Sequence, residues 1–400
     1  MTAKWRTLWL LAVAELLAMG LWFAASAVAP ALQAEWGISS GGAAWLTMAV
    51  QLGFVTGALL SALFNVPDIW PPRAVIATGA LLGAACTAAV PLLGLGFAPT
   101  LGLRFATGMA LALVYPVGMK IMATWTREDR GLGIGLLVGA ITVGTASPHF
   151  LRALGGIGDW RAVMLMAAAL AVAGGAIALV FCDVGPYRTA PPKFRLGYMG
   201  HALTVRPLRL ANFGYFGHMW ELYAMWTWLP AFLAVTYGAA GWPDAAAPMV
   251  AFAAIGIGGL GSLLAGHLAD RWGRTRTTML SMAISGGCAL TAGAAAAVGP
   301  IVVTSLVLVW GFAIVADSAQ FSTSVSELAE PEYMGTMLTT QTAIGFLLTL
   351  VTIRLVPVAV DAVGWGWAFA GLALGPAAGS WAMWRLKRSP DAVKLAGGRG

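Results

Sequence analysis

The chain has 400 residues, of which 59% are hydrophobic and only 10% are charged. A soluble domain carries about 25% charged residues, so this composition excludes a soluble globular protein and indicates a membrane protein with many spans. The formal net charge of +7 does not indicate nucleic-acid binding, because the basic residues fall in short loops, as they do on the cytoplasmic side of membrane proteins. The three cysteines lie in apolar runs and lack the spacing of metal ligands or of a disulfide framework: Cys86, Cys182 and Cys288.

Twelve apolar runs are each long enough to cross a hydrocarbon core of about 30 Å as a helix. The basic segment Met1–Arg6 leads into the first run without a small-residue cleavage site, which predicts an uncleaved first helix. The sequence therefore predicts an all-α membrane protein with 12 transmembrane helices, numbered below as spans 1 to 12. We place them at residues 7–32, 41–65, 74–95, 97–124, 131–154, 160–182, 208–236, 246–268, 277–298, 299–325, 334–358 and 364–385.

The longest polar gap, Asp183–Arg206, divides these spans into two sets of six. We predict an N-terminal six-helix bundle over residues 1–182, a cytoplasmic linker over 183–207, a C-terminal six-helix bundle over 208–385 and a cytoplasmic tail over 386–400. The tail is basic and rich in glycine, so we expect its end to be disordered.

The distribution of Lys and Arg predicts the orientation of the chain in the membrane. These residues concentrate in the N-terminal segment, the even-numbered loops, the linker and the tail, whereas the opposite face holds only Arg152 and Arg161. Both termini are therefore predicted to be cytoplasmic, in a multi-pass protein of a bacterial inner membrane. The loop between spans 10 and 11 is an exception, because its acidic residues have no Lys or Arg beside them: Glu327, Glu330 and Glu332.

Six ionisable residues lie well inside predicted spans, where each charged side chain costs about 2.5–3.5 kcal/mol. Three are acidic and three are basic, so we expect pairing within the set to neutralise most of it. Two histidines add groups that titrate near physiological pH. This composition is typical of a proton-linked transport pathway, and a network of static ion pairs is the alternative. The residues are Glu15, Arg104, Lys120, Glu221, Asp317 and Arg354, with His149 and His218.

In the first half, Glu15 of span 1 is a candidate proton or substrate site, and a static ion pair is the alternative. Span 4 contains Arg104, which could instead bridge helices, and Tyr115 as a further candidate for the pathway. Lys120 of the same span is a candidate too, although its long side chain could equally reach the cytoplasmic interface. His149 lies near the periplasmic end of span 5.

In the second half, His218 and Glu221 of span 7 are three residues apart, which predicts a coupled pair on one helix face. Trp226 and Trp228 follow, either as an interfacial aromatic belt or as an aromatic wall for substrate. Asp317, Gln320 and Ser324 form a polar stripe on span 10, which favours a cavity. Arg354 of span 11 either binds an anionic substrate or reaches outward to the interface.

The two halves also carry similar loops. Asp68 and Arg73, between spans 2 and 3, resemble Asp270 and Arg274, between spans 8 and 9. Two repeated halves of six helices are a common plan of transporters. In the second loop, Gly273 permits the positive φ that a tight turn often needs.

Three motifs carry a resemblance to a known family. The pattern Gly266-x-x-x-Asp270-Arg271-x-Gly273-Arg274 resembles the loop signature, often called motif A, of the major facilitator superfamily (MFS). Arg104 and Gly108 resemble its second motif, and residues 139–148 its Gly/Pro-rich antiporter motif. In the first-half loop Asp68 and Arg73 remain, but Pro71 and Pro72 replace the Gly and Arg, and Phe64 the leading Gly.

The resemblance implies an MFS fold of two pseudo-symmetric six-helix bundles, with a cavity lined mainly by spans 1, 4, 7 and 10. It also implies that Arg104 takes part in proton transfer and that Asp270 bonds across spans 8 and 11 to steady an outward-open state.

The predicted function is secondary active transport of a small solute, an organic anion, by alternating access with protons as the coupling ion. The alternative is a multidrug/proton antiporter that exports amphipathic compounds. We expect a monomer in the lipid bilayer without cofactor, metal or nucleic acid. A membrane-embedded enzyme or sensor is disfavoured, because the HExxH and P-loop patterns do not occur and the loops are short.

Overall fold

The computed structural model describes residues 3–126, 130–155, 159–187 and 194–400, and regular structure within these ranges is helical. Residues 188–193 of the predicted linker therefore lie outside the described ranges. Short 3₁₀ segments occur at Leu196–Tyr198, Ala370–Ala373 and Pro390–Gly398. The α-helices are α1 (Ala3–Met19), α2 (Ala24–Ala27), α3 (Ala29–Trp36), α4 (Ser40–Leu63), α5 (Val66–Ile69), α6 (Pro72–Leu92), α7 (Phe97–Leu111), α8 (Tyr115–Trp125), α9 (Arg130–Gly155), α10 (Trp160–Phe181), α11 (His201–Thr204), α12 (Arg206–Ala239), α13 (Ala246–Gly256), α14 (Gly258–Trp272), α15 (Arg274–Val298), α16 (Pro300–Ala316), α17 (Ser318–Leu328), α18 (Met334–Val363) and α19 (Leu374–Lys387).

The predicted all-helical membrane fold is confirmed. Among the described residues, however, fewer than 12 helical stretches have the length and composition of a membrane span. Within the described ranges, nine helical stretches are long and apolar enough to cross a membrane, and they match predicted spans 2–6 and 8–11. Predicted span 1 falls short because α1 has 17 residues and the chain turns at 20–23 before α2. Predicted span 7 is the 34-residue helix α12, whose polar and aromatic residues lower its hydropathy, and span 12 is reduced to the 14 residues of α19.

Three of the predicted spans are built from two helices each. Span 4 divides into α7 and α8 at residues 112–114, ahead of Pro116, which lacks the backbone N–H that would continue the helical bonding of α7. Span 8 divides at Ile257, between Gly256 and Gly258, and span 10 divides at Asp317. Each break leaves backbone groups without their regular helical partners, so the breaks are places where polar side chains can bond to the backbone.

The chain separates into two compact units. The first comprises the described residues within Met1–Thr189 together with Trp226–Gly256, and the second comprises those within Ala190–Met225 together with Ile257–Gly400. The first unit thus includes the second half of α12 and all of α13. The division of the sequence into bundles over 1–182 and 208–385, with a linker over 183–207, stays a prediction.

Close packing of α4 against α7 gives the first unit much of its core. A Cβ atom on Gly108 of α7 would lie 2.1 Å from the carbonyl oxygen of Val50, and one on Gly53 of α4 would lie 1.9 Å from that of Phe105. Glycine is therefore required at both positions for the two backbones to approach. This approach also brings the side chain of Arg104, one turn before Gly108, to the backbone of α4.

At the end of the first unit, α3 is fixed to α10 by the Glu35 carboxylate. It accepts a hydrogen bond from Trp160 Nε1 at 2.6 Å and lies 2.7 Å from Arg161 Nη2. The bond from Trp160 and the charge of Arg161 lower the pKa of Glu35 below its usual value. This contact fixes the part of the chain that leads from α1 into α4.

The end of the tail is ordered in the structure, so the prediction of disorder there is wrong. Leu395 is fully buried, and Ala396 is 8% exposed. The backbone N–H of Ala396 donates to Glu327 Oε2 at 3.0 Å. The glycines of this segment adopt positive φ, for example 63° at Gly397 and 96° at Gly398, so they serve a defined conformation rather than disorder.

We predict that Gly108→Ala lowers the thermal stability of the protein in detergent micelles, because the added methyl group cannot fit against Val50. Overpacking of this kind costs about 1–3 kcal/mol. Gly102→Ala, in the same helix, is the matched control, since no atom lies within 4 Å of its Cβ position. Its melting temperature should be unchanged or slightly higher. Equal decreases in melting temperature in the two variants would show that the close approach of α4 and α7 does not determine the stability of the protein.

Candidate functional site

Glu15 is a buried carboxyl group for which the described residues provide no hydrogen bond. It lies on α1 with its side chain fully buried, and neither of its oxygens has a hydrogen-bond partner among the described residues. Gly118 of α8 faces it so closely that a Cβ atom there would lie 1.5 Å from Glu15 Oε1. The space for this carboxyl group therefore depends on a glycine, which gave no signal of its own in the sequence.

Several aromatic rings pack together in the unit that contains Glu15. Phe54 of α4 packs against Trp22 with ring centroids 4.9 Å apart, and it stacks on Tyr115 of α8 at 6.5 Å. The Tyr115 hydroxyl lies within electrostatic range of the Glu15 carboxyl group. Tyr115 and Glu15, both predicted as pathway residues, are thus brought together by α1 and α8.

Arg104 bonds only to backbone carbonyl groups among the described residues. Its Nε donates to Leu46 at 3.3 Å, its Nη1 donates to Leu21 at 2.9 Å, and its Nη2 donates to Trp22. Leu21 and Trp22 lie in the turn that follows α1, where carbonyl groups lack regular helical partners. These contacts are those of the alternative role, an arginine that bridges helices.

Lys120 and Asp68 form an ion pair between α8 and α5. Lys120 Nζ also donates to the carbonyl oxygen of Pro67 at 2.8 Å. Asp68 belongs to the first-half copy of the loop motif, so that copy keeps a charged partner despite its two prolines. The other charged residue of the copy, Arg73, lies 3.5 Å from Asp183.

A cavity in the first unit is lined in part by Arg152. The polar lining of the cavity also includes Ser26, Gln33, Thr47 and Thr227. Within the described residues Arg152 makes one hydrogen bond, from Nη1 to the carbonyl oxygen of Ala27 at 2.9 Å. The lining residues include no carboxylate, although Asp244 lies within electrostatic range of Arg152.

Two predicted aromatic residues and one predicted histidine fall near this cavity. Trp228 lines it and is 7% exposed, and Trp226 is 4% exposed. Their burial favours the aromatic wall over the interfacial belt. His149, one turn before Arg152 in α9, is 1% exposed, and its ring nitrogens have no hydrogen-bond partner within the described ranges.

In the second unit, His218 of α12 pairs with Asp317 at the break between α16 and α17. His218 Nδ1 lies 2.8 Å from Asp317 Oδ1, and His218 Nε2 lies 2.9 Å from Ser318 Oγ. Both ring nitrogens therefore have partners in span 10. His218 and Asp317 are each about 2% exposed.

Glu221 does not pair with His218, so the predicted coupling of these two residues is wrong. Glu221 accepts hydrogen bonds from Ser285 Oγ at 2.8 Å and from Trp310 Nε1 at 2.7 Å. Residues three apart on a helix differ by about 60° in direction, so the two side chains reach different neighbouring helices. Ser285 and Trp310 gave no signal in the sequence, because serine and tryptophan are common in membrane helices.

The expectation that the six intramembrane charges would pair among themselves is also wrong. Across the described ranges, no ion pair joins two members of that set. Lys120 pairs with Asp68, and Asp317 pairs with His218. Arg354 lies exposed on α18, where the structure places it apart from the buried groups.

The second loop motif forms a network around Arg274. Arg274 Nη1 lies 3.0 Å from Asp270 and 2.8 Å from Gln320 Oε1, and its Nη2 lies 2.9 Å from Glu327 Oε1. Gln320, predicted to line a cavity, thus serves this network. Asp270 is bonded here to Arg274, and the implied bond across spans 8 and 11 stays a prediction.

The turn inside this motif has the predicted backbone conformation, because Gly273 has a φ of 97°. Gly266 is half-buried in α14, and Arg271 is exposed. The acidic loop after span 10 also finds partners at a distance in sequence. Glu332 lies 3.1 Å from Arg195 Nη1 and accepts a hydrogen bond from Tyr198.

Comparisons with known proteins agree with this architecture. A family model described as Major Facilitator Superfamily matches residues 11–353. A sequence search finds no curated protein similar to the chain. Two similar solved structures are of a bacterial homolog of the human lysosomal transporter Spinster, both inward-facing. The occupied form has a TM-score of 0.71 and 13% sequence identity, and the match covers 95% of this chain and 96% of that chain. The unoccupied form has a TM-score of 0.67 and 13% identity, and the match covers 96% of each chain. A third is a point mutant of the nucleoside transporter NupG, with a TM-score of 0.70 and 15% sequence identity, and the match covers 96% of this chain and 100% of that chain.

Proposed function

We propose that this chain, which belongs to the Major Facilitator Superfamily, is a secondary active transporter that couples the movement of a small organic anion to protons. In this proposal it works as a monomer by alternating access in a bacterial inner membrane, with both termini in the cytoplasm. Membership of a transporter family argues against an enzyme, and the proposal concerns which solute and which ion are moved.

Glu15 supports proton coupling and carries the proposal. An ionised carboxylate without a partner is very costly inside a protein, whereas the protonated acid costs far less. The carboxyl group of Glu15 is fully buried without a hydrogen bond in the part of the chain that the structure describes. It therefore binds a proton in this conformation and would lose it when another conformation admits water or a cation.

The pair of His218 and Asp317 is a weaker candidate for the coupling site. The His218 imidazole and the Asp317 carboxylate lie 2.8 Å apart and form an ion pair when the imidazole carries a proton. The second ring nitrogen of His218 is already bonded to Ser318, however, so the imidazole is satisfied in place. Such a pair is more typical of a link between helices than of a site that exchanges protons.

Arg152 supports an anionic substrate. Its guanidinium group has five N–H donors, and the described residues bond one of them, so donors remain for a carboxylate in the adjoining cavity. A planar guanidinium binds a carboxylate through two parallel hydrogen bonds. The hydroxyl groups of Ser26 and Thr47, which bond to each other at 2.6 Å, offer further polar contacts.

We predict that Glu15→Gln abolishes the dependence of transport on a pH gradient, because an amide cannot bind and release the proton. The measurement is proton movement, followed by an internal pH dye in proteoliposomes, after addition of each member of a panel of small carboxylates. Glu35→Gln is the control, since Glu35 is partly exposed and bound to Trp160 and Arg161. Proton movement that persists in Glu15→Gln at the wild-type rate would contradict this role.

We predict that Arg152→Gln raises the half-saturation concentration for a transported carboxylate by about tenfold or more, the equivalent of one charge-assisted hydrogen bond. Arg161→Gln is the matched control, because Arg161 lies at the start of α10 and is bound to Glu35 outside the cavity. Transport of amphipathic dyes with no transport of carboxylates would instead support the multidrug/proton antiporter. An unchanged half-saturation concentration in Arg152→Gln would remove Arg152 from the substrate path.

A further inference from the structure

Residues Leu395–Gly400, called here the tail segment, lie in a groove beside the second loop motif. The groove is formed by the turn between α14 and α15 and by α17, and its contacts come from Asp270, Gly273, Thr275 and Glu327. All of these residues belong to the second unit. The groove thus has a known occupant, a segment of this chain.

Three hydrogen bonds and one buried side chain hold the tail segment. Ala396 N–H donates to Glu327 Oε2 at 3.0 Å, Arg399 Nη1 donates to the carbonyl oxygen of Asp270 at 2.5 Å, and Thr275 Oγ1 donates to the carbonyl oxygen of Gly400 at 2.8 Å. Leu395 is fully buried. The first and last of these bonds use the backbone of the tail segment, so the groove recognises a main-chain conformation.

The shape of the segment explains its composition. Ala396, Gly397, Gly398 and Gly400 all have positive φ, at 47°, 63°, 96° and 70°. Glycine adopts this conformation freely, whereas alanine does so only under constraint. The strained backbone of Ala396 is compensated by its bond to Glu327 and by the burial of Leu395.

Gly273 forms the floor of the groove. A Cβ atom at this position would lie 2.3 Å from the carbonyl oxygen of Gly400 and 2.4 Å from that of Arg399. Because Gly273 has no side chain, it can adopt the positive φ of the turn, and it also leaves room for the tail segment.

Glu327 links the tail segment to the loop motif. The same carboxylate accepts hydrogen bonds from Arg274 Nε at 3.3 Å, from Arg274 Nη2 at 2.9 Å and from Ala396 N–H. Seating of the tail and pairing of Arg274 with Glu327 therefore stabilise each other, and this coupling is reciprocal. A change in the loop that moves Arg274 away from Glu327 therefore also weakens the binding of the tail segment.

We propose that the tail segment is an internal ligand of this groove that holds the loop between α14 and α15 in place and thereby slows the transport cycle. The structural part, a groove that binds a glycine-rich main chain, stands independently of transport. The effect on the cycle rests on the proposed function.

Hydrogen–deuterium exchange of the purified protein in nanodiscs tests the structural part. In Leu395→Ser we expect backbone amides of residues 273–278 to exchange about tenfold faster, since the loop would open more often. Val393→Ser is the matched control, because Val393 is close by in the chain but 70% exposed. Exchange in Leu395→Ser equal to that of the wild type would overturn the proposal.

A peptide in trans gives a second measurement that does not depend on a single variant. A variant lacking residues 395–400 should regain slow exchange at residues 273–278 when the synthetic peptide Leu-Ala-Gly-Gly-Arg-Gly is added. Gly273→Ala should prevent this rescue, whereas Gly364→Ala should not, because Gly364 also has positive φ (70°) but no atom within 4 Å of its Cβ position. Failure of the peptide to slow exchange would contradict a groove that binds the segment.

Transport assays separate the two parts of the proposal. Deletion of residues 395–400 should raise the rate of carboxylate transport about two- to tenfold, as expected when a stabilised conformation loses about 0.4–1.4 kcal/mol. An unchanged or lower rate would overturn the regulatory role. If the wild type transports no solute, the proposed function fails. The exchange measurements then still test whether the groove binds the tail segment.

Discussion

The contact between Arg104 and the backbone around α1 is the constraint on which the first unit depends. A fully buried guanidinium group must satisfy its N–H donors, and the chain provides carbonyl groups by ending α1 before residue 20 and turning there. The glycine contact at Gly108 brings α7 close enough to α4 for the third bond, to Leu46. The bend in predicted span 1 thus provides carbonyl groups that accept hydrogen bonds from the buried charge of Arg104.

The same requirement accounts for most of the other buried polar groups. Asp317 lies 2.8 Å from His218 where span 10 is broken, although its Oδ1 makes no hydrogen bond among the described residues, and Glu221 bonds to Ser285 and Trp310. Buried groups that are satisfied in this way fix the packing of helices and have little reason to exchange a proton. Glu15 is different because its oxygens lack hydrogen bonds in the described part of the chain, although it is just as deeply buried. This difference singles it out as the candidate proton site.

Much of the fold follows from the sequence, since nine of the 12 apolar runs match helical stretches that are long and apolar enough to cross a membrane within the described residues. The breaks at Ile257 and Asp317 were missed, because apolar content says little about where a helix is interrupted. Pairing was predicted poorly for a similar reason: spacing places His218 and Glu221 on one face but does not say which neighbouring helix each one meets. The tail was misjudged because glycine-rich composition is shared by disordered chains and by segments with positive φ, and only the contact with Glu327 distinguishes them.

Glu15 carries the coupling proton in the proposed mechanism, and infrared difference spectroscopy tests this role most directly. The spectrum of the protein in lipid, recorded between acidic and alkaline pH, reports the C=O stretch of protonated carboxyl groups. A proton on Glu15 predicts a band that disappears as the pH rises, that is absent in Glu15→Gln and that remains in Glu35→Gln. A set of carboxyl bands in Glu15→Gln identical to that of the wild type would contradict it.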